Sequence, residues 1–395
     1  MISFDEAFAI VAAQARPLGA EPVPIFAAYG RILAEPVTAL VDSPPADVSA
    51  MDGYAVRDAE IAAGRRRFRI AGRSFAGAGF AGRAEAGDCV RIFTGAPLPA
   101  GFDRVVIQEN VACEGDFASI VEPVSAAGHV RPRGSDFKVG DTLLEAGRVV
   151  HSRAIVAAAG ADRAELIMWR RPRLAVIGTG DELAEPGQAR GRPGSIPESL
   201  SLGIAALAQE WGAETIACHR LPDDLARLAA AAAEALGQAD VVVVTGGASV
   251  GEKDYAKDAF ASCGLELLFS KVAIKPGKPV WFGRARDTLV VGLPGNPTSA
   301  MVTGRLLLAP LVAGLGGRDP LDAARWRRAP LAADIEACGD RETFVRARWS
   351  ADAITPVVNQ DSGAQRALAD AELLIRRRAC APALRKGEMV EVIDL

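Results

Sequence analysis

Three loops in the second half of the sequence carry residue types suited to anions and metal ions. The first, Gly178-Thr-Gly-Asp-Glu-Leu183, follows the apolar run Leu174-Ala-Val-Ile. Its adjacent carboxylates, Asp181 and Glu182, can hold a hard cation such as Mg²⁺. A turn with an acidic helix start reads equally well. It is no dinucleotide fingerprint, because Leu183 stands where the third Gly belongs and the carboxylates repel a pyrophosphate. The second loop is Thr245-Gly-Gly-Ala-Ser-Val-Gly-Glu-Lys-Asp-Tyr255. Gly246 and Gly247 let backbone N–H groups approach an anion, and Asp254 adds a carboxylate one turn into the helix that follows. A plain strand-to-helix turn explains the glycines but not the grouping of Ser249, Lys253 and Asp254.

The third loop, Gly292-Leu-Pro-Gly-Asn-Pro-Thr-Ser299, places Asn296 at an N-cap and Pro297 at N1. This leaves first-turn N–H groups for an anion, although capping alone would account for the pattern. Between the last two loops runs Lys271-Val-Ala-Ile-Lys-Pro-Gly-Lys-Pro279. It is not a Walker A loop, since no Ser or Thr follows the Lys. Two prolines around Gly-Lys make a stiff segment that can hold Lys275 and Lys278 toward an oxyanion. Only seven residues are Lys, and five of them (Lys253, Lys257, Lys271, Lys275, Lys278) fall within positions 253–278. That clustering asks for compact ammonium groups in this region. Carboxylates, backbone donors and fixed lysines together equip the segment for phosphate-ester or phosphoanhydride chemistry. His129, His151 and His219 lack any motif context and read as structural or surface residues.

The elements that position these loops follow from the apolar pattern. Buried β-branched runs such as Asp240-Val-Val-Val-Val-Thr245 alternate with helical stretches over 201–211 and 223–236, which predicts a parallel sheet covered on both faces. Ligands then bind beyond the carboxyl ends of the strands, where the three loops lie. A capping box, Ser3 with Glu6, opens a short helix that Pro17 ends. Positions 44–141 are rich in Gly and short alternating runs, which predicts a β domain. A helix over 149–161, an Arg-rich joint at 170–173, a helix from 297 to about 315, and short strands from 319 to 395 complete the chain.

The 395 residues suffice for two to four domains. With 45 basic against 49 acidic side chains, the net charge of −4 excludes the broad positive field of a general nucleic-acid binder. The longest apolar candidate, 306–316, is about half a membrane span. An acidic start and six scattered cysteines without ligand spacing point to a cytoplasmic protein without structural zinc.

Six motifs in order carry a family resemblance: Ser49-Ala-Met-Asp-Gly-Tyr-Ala-Val-Arg57, Thr94-Gly-Ala-Pro-Leu-Pro-Ala-Gly101, the Gly178 loop, Gly246 to Tyr255, Ile274-Lys-Pro-Gly-Lys-Pro279 and Gly292-Leu-Pro-Gly-Asn-Pro297. The chain resembles the molybdopterin molybdenumtransferases, the molybdenum insertases related to the C-terminal module of gephyrin. That resemblance implies a multidomain α/β protein. It has a discontinuous N-terminal domain (1–43 and 142–170), an inserted β domain (44–141), a three-layer α/β molybdopterin-binding domain (171–318) and a C-terminal β barrel (319–395). It implies Mg²⁺-dependent insertion of molybdate into adenylylated molybdopterin with release of AMP. Asp52, Thr94, Glu182 and Asp254 would be catalytic, with Glu182 and Asp254 as metal ligands. Gly246, Gly247, Ser249, Lys278, Pro294, Asn296 and Pro297 would contact substrate. Lys271, Lys275, Ser299, Arg341 and Ser362 would serve the molybdate side. A homodimer would share its site between subunits, with no nucleic-acid or membrane partner. The alternatives are a molybdopterin adenylyltransferase, which resembles 171–318 alone, and a non-catalytic pterin-binding or scaffold paralogue.

Two segments depart from the family's pattern. Pro197-Glu198-Ser199 stands where a small polar Asp/Asn-Ser-Asn triplet is usual, and Ala46-Asp47-Val48 where Phe-Asp-Asn is usual. A carboxylate at 198 facing an anionic ligand would weaken binding, so Glu198→Asn, with Pro197→Asp, is expected to tighten it.

Overall fold

The computed structural model describes residues 1–246 and 255–395. A six-stranded sheet lies at its centre. Glu214–Leu221, Arg173–Thr179, Val241–Thr245 and Thr288–Leu293 pair in parallel, and Trp281–Ala285 and Glu266–Phe269 continue the sheet antiparallel. The parallel expectation thus holds for four strands. Trp281–Ala285 runs against them because only Arg286 and Asp287 separate Ala285 from Thr288, a connection too short for a crossover, and Glu266–Phe269 pairs antiparallel to it at the edge.

Helices cover both faces, as the β-branched runs require. Leu200–Glu210 and the long helical run from Pro297 to Leu315 pack Ile204, Leu207, Val302 and Leu311 against Leu174, Val176 and Val243. Leu225–Leu236 covers the other face with Leu228, Ala232 and Leu236 over Ala175, Ile177 and Val244. The run Pro297–Leu315 is long and apolar enough to cross a membrane, but 94% of its apolar window is buried inside the protein. It is a core helix, and a π-helical segment at Gly304–Leu308 lets Arg305 reach the carbonyls of Asp394 and Ala323.

The first helix, Phe4–Gln14, begins with the capping box read from the sequence: Glu6 N–H donates to Ser3 Oγ and Ser3 N–H to the Glu6 carboxylate. Its buried face, Phe4, Ala7 and Val11, joins the central sheet's core. Phe4 also meets Phe344 edge-on at 5.1 Å, and Asp5 pairs with Arg376 and Arg378. The helix therefore binds the central and C-terminal units together. A separate core, Val23, Leu33 and Val37 with Leu144, Ala154, Leu166 and Met168, folds residues 20–38 with 142–169. Between these segments, a six-stranded sheet built on Gly53–Val56 and Asp88–Ile92 forms a β unit with cores of its own.

The C-terminal strands Arg327–Pro330, Glu342–Ser350, Ala353–Pro356, Leu373–Arg377 and Met389–Asp394 pair in a ring. The Leu331–Ile354 bridge draws the first of them back onto Ala353–Pro356. This is the closure expected of a small barrel. Two residues of the central unit, Ile274 and Lys275, pair with Glu342 and Thr343. The lysine-bearing segment is thereby part of the C-terminal sheet's edge.

Candidate functional site

Two cavities open at the carboxyl ends of the parallel strands, on either side of the start of helix Pro297–Thr303. The larger, about 1110 Å³, lies between the central and C-terminal units and is lined by Lys275, Lys278, Ser299, Arg341 and Ser362. The smaller, about 600 Å³, is a cleft over the strand ends lined by Glu182, Asp223, Gly246, Pro294, Asn296 and Pro297. Pro279 borders both.

The larger cavity carries mixed charge: Lys275, Lys278 and Arg341 share its lining with Asp334, Glu336, Asp340 and Asp361. Arg341 Nη1 donates to the Ile274 carbonyl at 3.4 Å, which holds the guanidinium beside the lysine segment. Lys271 does not reach the cavity; it is exposed, and its carbonyl accepts from the Ile2 N–H at 3.2 Å. A two-residue strand, Ile274–Lys275, separates it from Lys278, so the three ammonium groups do not converge.

The wall between the cavities is built from helix start and C-terminal loop. Asn296 occupies the N-cap position with Pro297 at N1, as expected, but its side chain makes no cap bond. Its Nδ2 instead donates to Ser362 Oγ at 3.1 Å, while Thr298 N–H donates to the Ser362 carbonyl at 3.2 Å. One first-turn donor is thus spent on the loop. Behind it, fully buried Arg346 donates to Thr298 Oγ1 at 3.2 Å and to the Asp361 carbonyl at 3.1 Å.

The cleft is acidic. Gly246 has φ +90°, and a Cβ there would lie 2.4 Å from the Thr179 carbonyl, so only glycine lets these two strand ends approach. Glu182 is exposed, with its carboxylate folded back over Gly180. Gly247, Ser249 and Asp254 lie outside the described residues.

Asp223 and Thr179 were missed as cleft residues by the sequence reading. Thr179 Oγ1 donates to Asp223 Oδ1 at 2.6 Å, and the Asp223 N–H donates to Asp181 at 3.1 Å. The signal was the Asp223-Asp224 doublet at a helix start. Asp224 caps the helix by accepting from Arg227 N–H, which leaves Asp223 for the cleft.

Glu198 is not a free surface charge. It is 5% exposed, lines the cleft, and accepts the Ser201 N–H at 2.8 Å.

Asp52 and Thr94 meet each other and not the cavities. Asp52 Oδ1 accepts from Thr94 N–H at 2.7 Å and from Thr94 Oγ1 at 2.8 Å. The backbone donor first, then the hydroxyl, hold this half-buried carboxyl below its ordinary range. Neither residue lines either cavity.

The α/β unit, whose two cavities share one helix start, is of the molybdopterin-binding class. Residues 175–314 match the family described as "probable molybdopterin binding domain". Residues 2–161 match the MoeA N-terminal region (domain I and II), and 328–395 the MoeA C-terminal region (domain IV). The chain belongs to the molybdopterin molybdenumtransferase family, transferases of molybdenum cofactor biosynthesis. It is 37% identical to the Haemophilus influenzae molybdopterin molybdenumtransferase over 77% of this chain and 73% of that one. With the Synechococcus elongatus enzyme it shares 32% identity over 92% of each. A molybdopterin biosynthesis moeA protein from Pyrococcus horikoshii has the same fold, with a TM-score of 0.85 at 29% identity, over 100% of this chain and 99% of that one.

Proposed function

We propose that the protein inserts molybdate into adenylylated molybdopterin and releases AMP in a Mg²⁺-dependent reaction. The observation that carries this reading is the shared wall at Asn296 and Ser362, which sets a cavity bearing Lys275, Lys278 and Arg341 against an acidic cleft. In it, Lys275, Lys278, Arg341, Ser299 and Ser362 receive the oxyanion. The cleft takes the pterin and the phosphoanhydride, with Gly246, Pro294 and Pro297 shaping it.

The donor set fits Mg²⁺. Among the described residues no three His, Cys, Asp or Glu side chains converge on one point. Mg²⁺ asks for less, since it keeps several waters and binds through one or two carboxylates together with substrate phosphates. Glu182 and Asp254 are the proposed ligands, and Asp223 adds a third oxygen donor in the same cleft. When bound, the ion would neutralise charge on the phosphoanhydride.

Asp52 and Thr94, remote from both cavities in one chain, complete the site of a second subunit in this reading. Exposed Phe26, Tyr29, Leu40 and Val156, 85%, 65%, 50% and 73% accessible, belong to the N-terminal segments and supply apolar surface for such a homodimer. The proposed domains are 1–43 with 142–170, 44–141, 171–318 and 319–395, with helix Phe4–Gln14 lent to the central core. The proposed location is the cytoplasm. AMP release from adenylylated molybdopterin on addition of molybdate and Mg²⁺ tests the activity, and sedimentation of the full chain tests the dimer.

A further inference from the structure

Glu198 is buried in the cleft wall and has no part in the reaction as described above. Its Oε1 accepts the Ser201 N–H, which fixes the carboxylate at the start of helix Leu200–Glu210. Among the described residues, its Oε2 accepts no hydrogen bond. That atom is not among the sealed polar atoms without partners, so it opens on the cleft that the side chain lines. Among the described residues, no lysine, arginine or histidine pairs with this carboxylate. The segment itself is held in place, because Gln365 of the C-terminal unit donates to Ser199 Oγ at 3.1 Å.

A carboxylate nine-tenths out of water is costly unless its open oxygen meets a donor. Two kinds of ligand supply one. A metal ion caged by side chains needs further ligands, and among the described residues no acidic, thiol or imidazole trio surrounds this carboxylate; the largely hydrated Mg²⁺ proposed above is assigned to Glu182. A flat heterocycle with adjacent N–H groups needs only the two oxygens, each of which has more than one lone-pair site, so Oε1 can serve Ser201 and a ligand together. The cleft suits such a ring, since Leu183, Ile196, Leu200 and Pro294 line it beside Glu198.

We propose that Glu198 is a specificity-determining residue that pairs with the 2-amino and N3–H edge of the pterin ring. This rests on the reading of the cleft as the pterin site. It reverses the sign expected from the sequence: a charge counted as repelling the ligand's anionic end instead receives the donor edge at its other end.

The test uses the full chain and two stable fluorescent probes, 6-hydroxymethylpterin and 6-hydroxymethyllumazine, which differ in carrying an amino or an oxo group at position 2. The wild type is expected to prefer the pterin by roughly tenfold or more, because the oxo analogue leaves the carboxylate facing an acceptor. Glu198→Gln keeps an oxygen for the Ser201 N–H, so it should retain the circular dichroism spectrum and lose the preference.

Equal affinity of the wild type for both probes, or no saturable binding of either at millimolar concentration, would overturn the proposal without reference to any variant. So would a preference that survives in a folded Glu198→Gln. A Glu198-dependent pterin preference in a protein that releases no AMP would remove the insertase reading and leave this assignment standing.

Discussion

Asn296 Nδ2 donates to Ser362 Oγ at 3.1 Å, joining the first turn of a central-unit helix to a C-terminal loop at the wall between the two cavities. Asn296 lines the acidic cleft and Ser362 the larger cavity, so each side of the wall is positioned by the other. Asn296→Ala and Ser362→Ala should each raise the half-saturating molybdate concentration, and the double variant should be no worse than the more affected single. A neutral hydrogen bond of about 1 kcal/mol corresponds to a coupling of roughly fivefold. Steady-state titration of all four proteins with molybdate checks this; independent, multiplying effects would show that the contact does not organise the site.

The lysines divide by position. Lys275→Ala removes an ammonium from the larger cavity and should weaken the molybdate response while leaving pterin binding in place. Lys271→Ala should change neither, because Lys271 is exposed and outside the cavity. The double variant should therefore match Lys275→Ala. Titrations with molybdate and with a pterin probe separate the two ligands, and a collapse of pterin affinity in Lys275→Ala would assign the lysine to the wrong substrate.

Carboxylate removal bears on the metal. Glu182→Gln, Asp223→Asn and Asp254→Asn preserve side-chain volume but remove a charged oxygen ligand. Glu182→Gln and Asp254→Asn should each slow turnover severely and shift the Mg²⁺ titration to higher concentration. Asp223→Asn should shift it less, since Asp223 is already engaged by Thr179. Mg²⁺ dependence identical to the wild type in all three would remove the metal assignment.

The Asp52 carboxyl titrates below its ordinary value of 3.8 because the Thr94 N–H and hydroxyl both favour the charged form. A lowered folded value stabilises the inserted unit at pH above the unfolded value, and that contribution disappears as pH falls through the folded one. Thr94→Val removes the hydroxyl and keeps the N–H, so the Asp52 pKa should rise part of the way back. Carbon-13 NMR titration of the side-chain carboxyl measures it, and an unmoved value would mean that the hydroxyl does not donate in solution.

Much of this architecture can be read from residue pattern alone. The capping box at Ser3 and Glu6, the Val241–Thr245 strand and the Asn296-Pro297 helix start depend on neighbours a few residues away, and local pattern suffices for them. What escaped the sequence depends on distant partners. Asn296 gave up its cap to Ser362, 66 positions away, and Asp223 became a cleft residue only because Thr179 stands at the end of a neighbouring strand. The sign assigned to Glu198 hinged on whether the carboxylate faces water, a ligand or a backbone donor, and no spacing reveals the Ser201 N–H that it meets. Lys271 reads like its neighbours Lys275 and Lys278, but pairing of Ile274 and Lys275 with the C-terminal strand decides which ammonium groups reach the cavity.

The most direct measurement is AMP release by the purified full chain supplied with adenylylated molybdopterin, with molybdate and Mg²⁺ added separately and together. The account predicts AMP only when both are present, in an amount that follows molybdate until the pterin is consumed. AMP release that ignores molybdate, or none with both ions present, would contradict it.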